Sequence, residues 1–177
     1  MARAAHDPGE IIAVVDDADR VIGKSTREDA HARGLLHRES CCYLLNSKGQ
    51  VLLQKRRDNG LWDHSCAGHF SVKETYEQGA IREFQEELGL LLRRSELVEL
   101  GKERLSVTSH KKINNRFARI FLVKKDIAPS DISFDSLEID SVRFYDLKQL
   151  RRLLSSPDVI TTAANLIINK YILRLLR

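Results

Sequence analysis

The chain has 177 residues, of which 42% are hydrophobic and 31% are charged, and its formal net charge is +4. This length and composition fit one compact domain and exclude a disordered low-complexity chain, while the lack of about 18 consecutive apolar residues excludes a membrane-spanning helix. The mild positive charge favours anionic ligands, but it does not distinguish small phosphates from nucleic acid.

Hydrophobic periodicity and turn residues predict mostly strands in the first part of the chain and a mixture of strands and helices after it. In chain order, the first part comprises a flexible N-terminal tail at residues 1–9, strands at 11–15 and 21–23, a helix at 26–33, strands at 41–45 and 51–54, and an extended segment at 61–70. The later part comprises a helix that ends at residue 88, strands at 97–107, 116–124 and 141–145, and helices at 147–154 and 157–176. No linker interrupts residues 10–177, which we interpret as a single domain.

Capping residues indicate where three of these helices begin. Ser25 and Glu28 match a capping box, and Thr75 and Gln78 match a second one. Glycines follow the first two helices, as expected of C-terminal caps, and Pro157 suits the first position of the last helix. The order of elements predicts the α+β class, an α/β/α sandwich in which helices cover both faces of a mixed sheet.

The cysteines do not suggest a disulfide framework or a zinc site. Cys41, Cys42 and Cys66 are odd in number and include no CxxC pair. The first ten residues contain no apolar run of the kind found in a signal peptide. We therefore expect a reduced, cytoplasmic protein that has no membrane partner.

Three carboxylates share one side of the predicted helix that ends at residue 88. At 100° per residue, Glu86 lies about 60° from Glu83 in one direction and Glu87 lies about 40° from it in the other. Apolar residues occupy the neighbouring arc, so the carboxylates border buried structure. Like charges at this spacing destabilise a helix by roughly 0.2–0.5 kcal/mol per pair, and a hard divalent cation would offset that repulsion. A solvated acidic helix face is the alternative interpretation of the spacing alone.

The segment at residues 68–90, GHFSVKETYEQGAIREFQEELGL, resembles the Nudix box. The pattern of the box is Gly, five residues, Glu, seven residues, Arg-Glu, an apolar residue, any residue, Glu-Glu, any residue, Gly and an apolar residue. Its positions are occupied here by Gly68, Glu74, Arg82, Glu83, Phe84, Glu86, Glu87, Gly89 and Leu90. A chance match of the seven fixed identities is on the order of one in a million. The order of strands and helices extends the resemblance over residues 10–155.

The resemblance implies a metal-dependent hydrolase that cleaves diphosphate linkages. In the family pattern, Glu83, Glu86 and Glu87 hold Mg²⁺ or Mn²⁺, helped by a backbone carbonyl near Gly68. A metal ion lowers the pKa of water and neutralises charge on phosphoryl oxygens, which is the chemistry that hydrolysis of a diphosphate needs.

The resemblance also implies supporting roles inside and outside the box. Arg82 would orient Glu83 and pair with Glu74, so that Arg82 and Glu74 are more structural than chemical. Family members place the general base inside or outside the box. Glu83 is the candidate inside it and Glu138 is the candidate outside it, and the sequence does not choose between them.

Basic residues and one histidine are candidates for substrate binding. Lys55 and Arg56, together with Lys111, are expected to contact substrate phosphates, and His69 is a further substrate-binding candidate. His37 and His69 match a pattern of the isopentenyl-diphosphate isomerases, although each is expected to be a hydrogen-bonded structural histidine rather than a metal ligand.

The flanks of the box resemble the branch of the superfamily that is related to isopentenyl-diphosphate isomerase, so an isomerase that moves a double bond in an isoprenoid diphosphate is an alternative function. The isomerases carry a cysteine directly before the Gly-His of the box, where this chain has Ala67. Cys66 lies one residue earlier, and its side chain would point to the opposite face of an extended segment. The acidic segment of the isomerases corresponds to Asn-Asn-Arg at residues 114–116. We therefore favour hydrolysis.

The remaining alternatives concern silent binding and the choice of partner. A catalytically silent, nucleotide-binding Nudix module is disfavoured by the intact carboxylates. The basic clusters lack interleaved aromatic residues, so nucleic acid is not an expected partner. Loops outside the box select the group on the diphosphate, and a nucleoside diphosphate derivative is only weakly favoured over other organic diphosphates. The sequence does not decide whether the protein forms a homodimer.

Overall fold

The computed structural model describes residues 7–109 and 112–176; residues 1–6 of the expected tail and Lys111 lie outside these ranges. The described strands are β1 (Ile11–Val15), β2 (Val21–Thr26), β3 (His37–Leu45), β4 (Val51–Arg56), β5 (Trp62–Asp63), β6 (Cys66–His69), β7 (Leu97–Ser109), β8 (Lys112–Lys124) and β9 (Ile139–Tyr145). The described α-helices are α1 (Arg27–Arg33), α2 (Tyr76–Leu88), α3 (Leu147–Ser155) and α4 (Thr162–Ile167).

The strands form one mixed sheet that is centred on β3. One edge of β3 pairs in parallel with β8 along its whole length. Its other edge is shared by β1, β6 and β4 in turn, all antiparallel to it. Strand β3 begins at residue 37 and not at 41, and β8 begins at residue 112 and not at 116, as their apolar runs had predicted. Both strands are longer because β8 pairs with both β3 and β7.

The alternation of side chains along β3 creates a hydrophobic core on each face of the sheet. Cys42 and Leu44 belong to the core that contains Phe84 of α2. Tyr43, on the opposite face, belongs to the core that contains Leu150 of α3 and residues of the C-terminal segment. Helices therefore cover both faces, and the predicted α+β class is confirmed.

Helix α2 begins and ends where its sequence predicted. The hydroxyl of Thr75 accepts a hydrogen bond from the amide of Gln78, and the side chain of Gln78 accepts one from the amide of Thr75. At the other end, Gly89 adopts a left-handed conformation with φ of 68°. This conformation favours glycine, because a side chain would be strained there.

The start of α1 differs from the predicted capping box. Its N-cap is Thr26, whose hydroxyl accepts from the amide of Asp29, instead of Ser25 with Glu28. Ser25 remains in β2 opposite Ile12, and its own hydroxyl donates to the carboxylate of Asp29. Strand pairing has therefore moved the helix start by one residue.

The prediction that Pro157 begins the last helix is wrong. The amide of Trp62 donates to the carbonyl of Val159, and the amide of Thr161 donates to the carbonyl of Trp62. Residues 159–161 are thus held beside β5, and α4 begins only after Thr161, whose hydroxyl accepts from the amide of Ala164. Within the described ranges, no helix is long and apolar enough to cross a membrane.

Candidate active site

A cleft of about 690 Å³ is bounded by α2, β4, β6, β8, the loop before β9 and the start of α4. Most of the predicted site residues line it: Arg56, Gly68, His69, Glu83, Glu87 and Glu138. Arg82 and Glu86 are not among the lining residues, and they contact each other. Lys55 does not line the cleft either, although its neighbours on β4 do.

The three carboxylates of α2 differ in their exposure to solvent. Glu83 and Glu87 are buried, whereas Glu86 is half-buried. Phe84 and Leu88 on the adjoining arc are fully enclosed by the core. The predicted placement of the acidic arc beside buried structure is therefore confirmed, and the alternative of a fully solvated face is wrong for Glu83 and Glu87.

Arg82 links the box carboxylates to the strand that precedes the helix. Its guanidinium contacts Glu86 at 2.6 Å and Glu83 at 3.0 Å, and its Nε donates to Glu74 at 3.2 Å. Its Nη2 also donates to the backbone carbonyl of His69 at 2.6 Å. The predicted contacts of Arg82 with Glu83 and Glu74 are both present, and together with the bond to His69 they tie α2 to β6.

Gly68 lies directly against the carboxyl group of Glu83. A Cβ atom at position 68 would lie 2.6 Å from Oε2 of Glu83 and still closer to the rest of that carboxyl group. Real Cβ atoms do not approach other heavy atoms so closely, so only glycine allows the backbone of β6 and the carboxylate to meet. The backbone near Gly68 is consequently within reach of a ligand that Glu83 holds.

Burial and mutual repulsion disfavour the charged forms of the two buried glutamates. Burial raises the pKa of Glu83 to about 8, with Arg82 opposing the shift and Glu86 adding to it. Burial also raises the pKa of Glu87 well above its ordinary value, and the charges of Glu83 and Glu138 raise it further. Gln54 partly opposes this rise in the pKa of Glu87 by donating to its Oε2 at 2.8 Å.

This donor set fits a hard divalent cation. Mg²⁺ and Mn²⁺ prefer carboxylate and carbonyl oxygens, and a cation between Glu83 and Glu87 would favour the ionised form of both groups. The carboxyl group of Glu83 fills the place that a side chain at position 68 would take, which brings the backbone of β6 next to this carboxylate.

Backbone hydrogen bonds hold Glu138 at the mouth of the cleft. The amide of Asp135 donates to the carbonyl of Glu87, and the amide of Arg57 donates to the carbonyl of Glu138. The loop before β9 is therefore tied to the end of α2 on one side and to the end of β4 on the other. Asp135 lines the cleft beside Glu138 and is a further acidic residue that the sequence did not single out.

Three histidines meet at the end of the cleft nearest α1. Nε2 of His69 lies 3.1 Å from Nε2 of His31 and 2.9 Å from Nε2 of His37. Burial lowers the pKa of His37 and lowers the pKa of His69 well below its ordinary value, so both rings are neutral at pH 7. The ligand atoms of the three rings all lie within 4.8 Å of one another, and neutral imidazoles of this kind can hold an ion such as Zn²⁺. His31 carried no sequence pattern that identified it.

Around Ala67, the arrangement differs from that expected of the isomerases. Ala67 lines the cleft, whereas Cys66 is fully buried in the core below it, as the alternation of an extended strand predicted. Asn114 and Arg116 occupy the floor, where Arg116 forms a buried ion pair with Glu39 of β3. No cysteine lines the cleft within the residues that the structure describes.

Arg56, Asp58 and Asp63 form a polar cluster in the cleft, apart from the three histidines. Its guanidinium donates to Asp58 at 2.7 and 2.9 Å and to Asp63 at 3.3 Å. Asp63 is buried and also accepts from Thr161 at 2.8 Å. No sequence pattern identifies Asp63 and Thr161, because they are distant in the chain and meet only through the pairing of residues 159–161 with β5.

Comparison with known proteins yields consistent matches. The family model for the NUDIX domain matches residues 35–164. A Photorhabdus laumondii protein named isopentenyl-diphosphate Delta-isomerase 2 is 32% identical over 169 residues, which cover 90% of this chain and 91% of the relative. An uncharacterized Nudix hydrolase of Listeria monocytogenes is 32% identical over 139 residues, or 76% of this chain and 78% of that protein.

A solved structure matches the fold of most of the chain. The crystal structure of a Deinococcus radiodurans protein matches with a TM-score of 0.72 and 20% identity, over 92% of this chain and 99% of that one. At this identity the likeness shows the fold alone.

Proposed function

The chain belongs to the Nudix hydrolase family, and we propose that it is a divalent-metal-dependent enzyme that hydrolyses a diphosphate linkage in a nucleoside diphosphate derivative or a related organic diphosphate. One observation carries this proposal. Two buried glutamates with raised pKa values, Glu83 and Glu87, face a cleft beside a glycine that admits no side chain. The ionised forms of two buried carboxylates that repel each other are costly unless a cation offsets their charge.

In this proposal, Glu83, Glu86 and Glu87 hold Mg²⁺ or Mn²⁺ together with a backbone carbonyl near Gly68. When bound, the ion supplies a lower pKa for water and neutralises charge on phosphoryl oxygens. Arg82 keeps the carboxylate of Glu83 turned towards the cleft, and Gln54 does the same for Glu87. Arg56 and His69 line the same space and are proposed to contact the substrate.

The general base is proposed to be Glu83 or Glu138. Glu83 is favoured by its place in the cleft beside Gly68, where Arg82 holds its carboxylate. Glu138 is favoured by its place on the loop at the cleft mouth, opposite α2. Removal of a general base lowers the rate typically by about 10²–10⁴-fold. A loss of this size in Glu138→Gln at saturating metal would assign the base to Glu138, and an unchanged rate would leave Glu83. Glu83→Gln should lower the rate in either case, because Glu83 is also proposed to hold the cation.

Isomerisation of an isoprenoid diphosphate is the second candidate function, because a relative with 32% identity carries the isomerase name. The alanine at position 67 and the Arg116–Glu39 ion pair on the cleft floor argue against it. An isomerase would convert isopentenyl diphosphate without releasing phosphate, whereas a hydrolase would release phosphate or a monophosphate.

The direct test is a panel of nucleoside diphosphates, nucleoside triphosphates, nucleotide sugars, dinucleotides and isoprenoid diphosphates, assayed with Mg²⁺, with Mn²⁺ and with EDTA. We expect metal-dependent cleavage of at least one class and none in EDTA. Double-bond migration without phosphate release would instead establish the isomerase. Tight binding of a nucleotide without turnover of any compound would establish the silent module.

The raised carboxylate pKa values also predict a pH-dependent response to Mg²⁺. A carboxylate whose pKa is raised by folding stabilises the metal-free protein at low pH, and this stabilisation is lost as pH rises through the folded value, which is about 8 for Glu83. Because the cation binds only the ionised groups, its apparent affinity should rise up to about tenfold per pH unit for each proton released. Thermal melts from pH 6 to 9 should therefore show an increase in Tm on adding Mg²⁺ that grows with pH. An increase of the same size at every pH would contradict the assignment of the cation to these glutamates.

A further inference from the structure

The far end of the cleft is built around a buried carboxylate that the hydrolytic machinery does not use. Asp63 lies on β5, directly opposite Gln54 on β4. Side chains of directly opposed residues in an antiparallel pair lie on the same face and about 4.5–5.5 Å apart at Cβ. Gln54 donates to Glu87, so Gln54 is the residue that lies between Asp63 and the carboxylates of α2. A group attached to a diphosphate held at α2 would reach Asp63.

The two carboxylate oxygens of Asp63 differ in the number and length of the hydrogen bonds that they accept. Oδ1 accepts from the amide of His64 at 2.9 Å and from the hydroxyl of Thr161 at 2.8 Å. Oδ2 accepts a long bond of 3.3 Å from Arg56, whose shorter bonds go to Asp58. A carboxylate oxygen has two lone pairs, so Oδ2 retains acceptor capacity towards the cleft.

Asp63 is fixed in position and ionised. Burial alone would raise its pKa, but His64, Arg56 and the hydroxyl of Thr161 together hold the pKa below the ordinary value. The Thr161 hydroxyl also caps α4, which anchors the carboxylate to a helix start. A rigid acceptor of this kind favours ligands that donate hydrogen bonds, because a hydrocarbon placed against Oδ2 would exclude water without supplying a hydrogen bond in its place.

Polar side chains accompany Asp63 in the lining of the cleft, among them Asn59 and Thr162. The apolar residues of the lining are Ala67, Val107, Leu137 and Ala163. The buried carboxylate of Asp63 is therefore the feature that distinguishes a hydroxylated group from an isoprenoid chain in this cleft.

We propose that Asp63 is a specificity-determining residue that accepts hydrogen bonds from the hydroxyl groups of a sugar attached to the diphosphate. This inference rests on the proposed function, since it assumes that the diphosphate is held at α2. It makes the substrate a diphosphate ester of a polyhydroxylated group and not of a hydrocarbon.

The test compares UDP-glucose, GDP-mannose and ADP-ribose with geranyl diphosphate, using the full chain with Mg²⁺. The wild-type protein should have a kcat/KM at least about tenfold higher for the best of the three sugar compounds. Asp63→Asn should lower that kcat/KM by about 10- to 100-fold, mainly through KM, because the amide removes the negative charge and replaces one acceptor oxygen with a donor. The same substitution should change the kcat/KM for geranyl diphosphate by less than about threefold. Asp126→Asn, which makes the same change at an exposed position after β8, is the matched control.

Each outcome decides between selectivity and a purely structural role. An equal loss for both kinds of substrate would show that Asp63 only supports the fold and would overturn the inference. A wild-type preference for geranyl diphosphate would overturn it even if Asp63→Asn did not fold. Failure to cleave any diphosphate would instead refute the proposed hydrolase, which separates the two conclusions.

Discussion

Replacement of Glu87 with glutamine is expected to lower the kcat/KM for diphosphate hydrolysis by more than about 100-fold, and replacement of Glu86 is expected to have a similar effect. Even residues that only support metal ligands cost about 10- to 100-fold when they are changed, so loss of a ligand should cost more. The reason is chemical, since an amide oxygen carries no charge with which to balance the cation. Initial rates measured over a range of Mg²⁺ concentrations would show whether excess metal restores activity.

The same substitution should not destabilise the metal-free fold. Burial and the charges of Glu83 and Glu138 raise the pKa of Glu87, so folding must either keep an unfavourable charge there or take up a proton, and a neutral side chain of the same shape avoids both costs. The Tm of the metal-free Glu87→Gln protein should therefore equal or exceed that of the wild type. Glu77→Gln is the matched control, since Glu77 lies on the first turn of the same helix and pairs with Arg94. Turnover retained by both Glu86→Gln and Glu87→Gln would remove these residues from the metal site.

Replacement of Gly68 with alanine is expected to damage both stability and activity. The added Cβ would meet the carboxyl group of Glu83, which is itself held by Arg82 and cannot move freely. Overpacking of this kind costs about 1–3 kcal/mol, which corresponds to a fall in Tm of about 2–12 °C for a protein of this size. Activity should fall by more than about tenfold, because displacement of Glu83 disturbs the proposed metal site.

Gly23→Ala provides the control for this substitution. Gly23 lies in β2, and a Cβ atom added there would meet no other heavy atom within 4 Å, so alanine fits without strain. We expect its Tm and activity to stay close to those of the wild type. If Gly68→Ala melted and turned over like Gly23→Ala, the close approach of β6 to Glu83 would have no functional meaning.

Features that depend on neighbouring residues could be predicted from the sequence. The start of α2 at Thr75, its end at Gly89 and the spacing of its three glutamates all follow from local hydrogen bonding and helical periodicity. Local rules were insufficient at Pro157. There, the pairing of residues 159–161 with β5 outweighed the preference of proline for the first turn of a helix.

Residues that meet across the sheet could not be predicted in this way. His31 of α1 contacts His69 of β6, and Asp63 of β5 contacts Thr161, which lies 98 residues later in the chain. No periodicity in the sequence relates such pairs, because their distance depends on strand order and register.

By itself, the sequence determined the family, the acidic arc of α2 and the reason that a divalent cation suits it, since these properties lie within one helix and the glycine before it. Only the tertiary structure decided which of those carboxylates are buried, which far segments complete the cleft and where Asp63 lies. The physical reason is that burial and electrostatic environment arise from packing between elements, and packing is a property of the whole sheet and its helices.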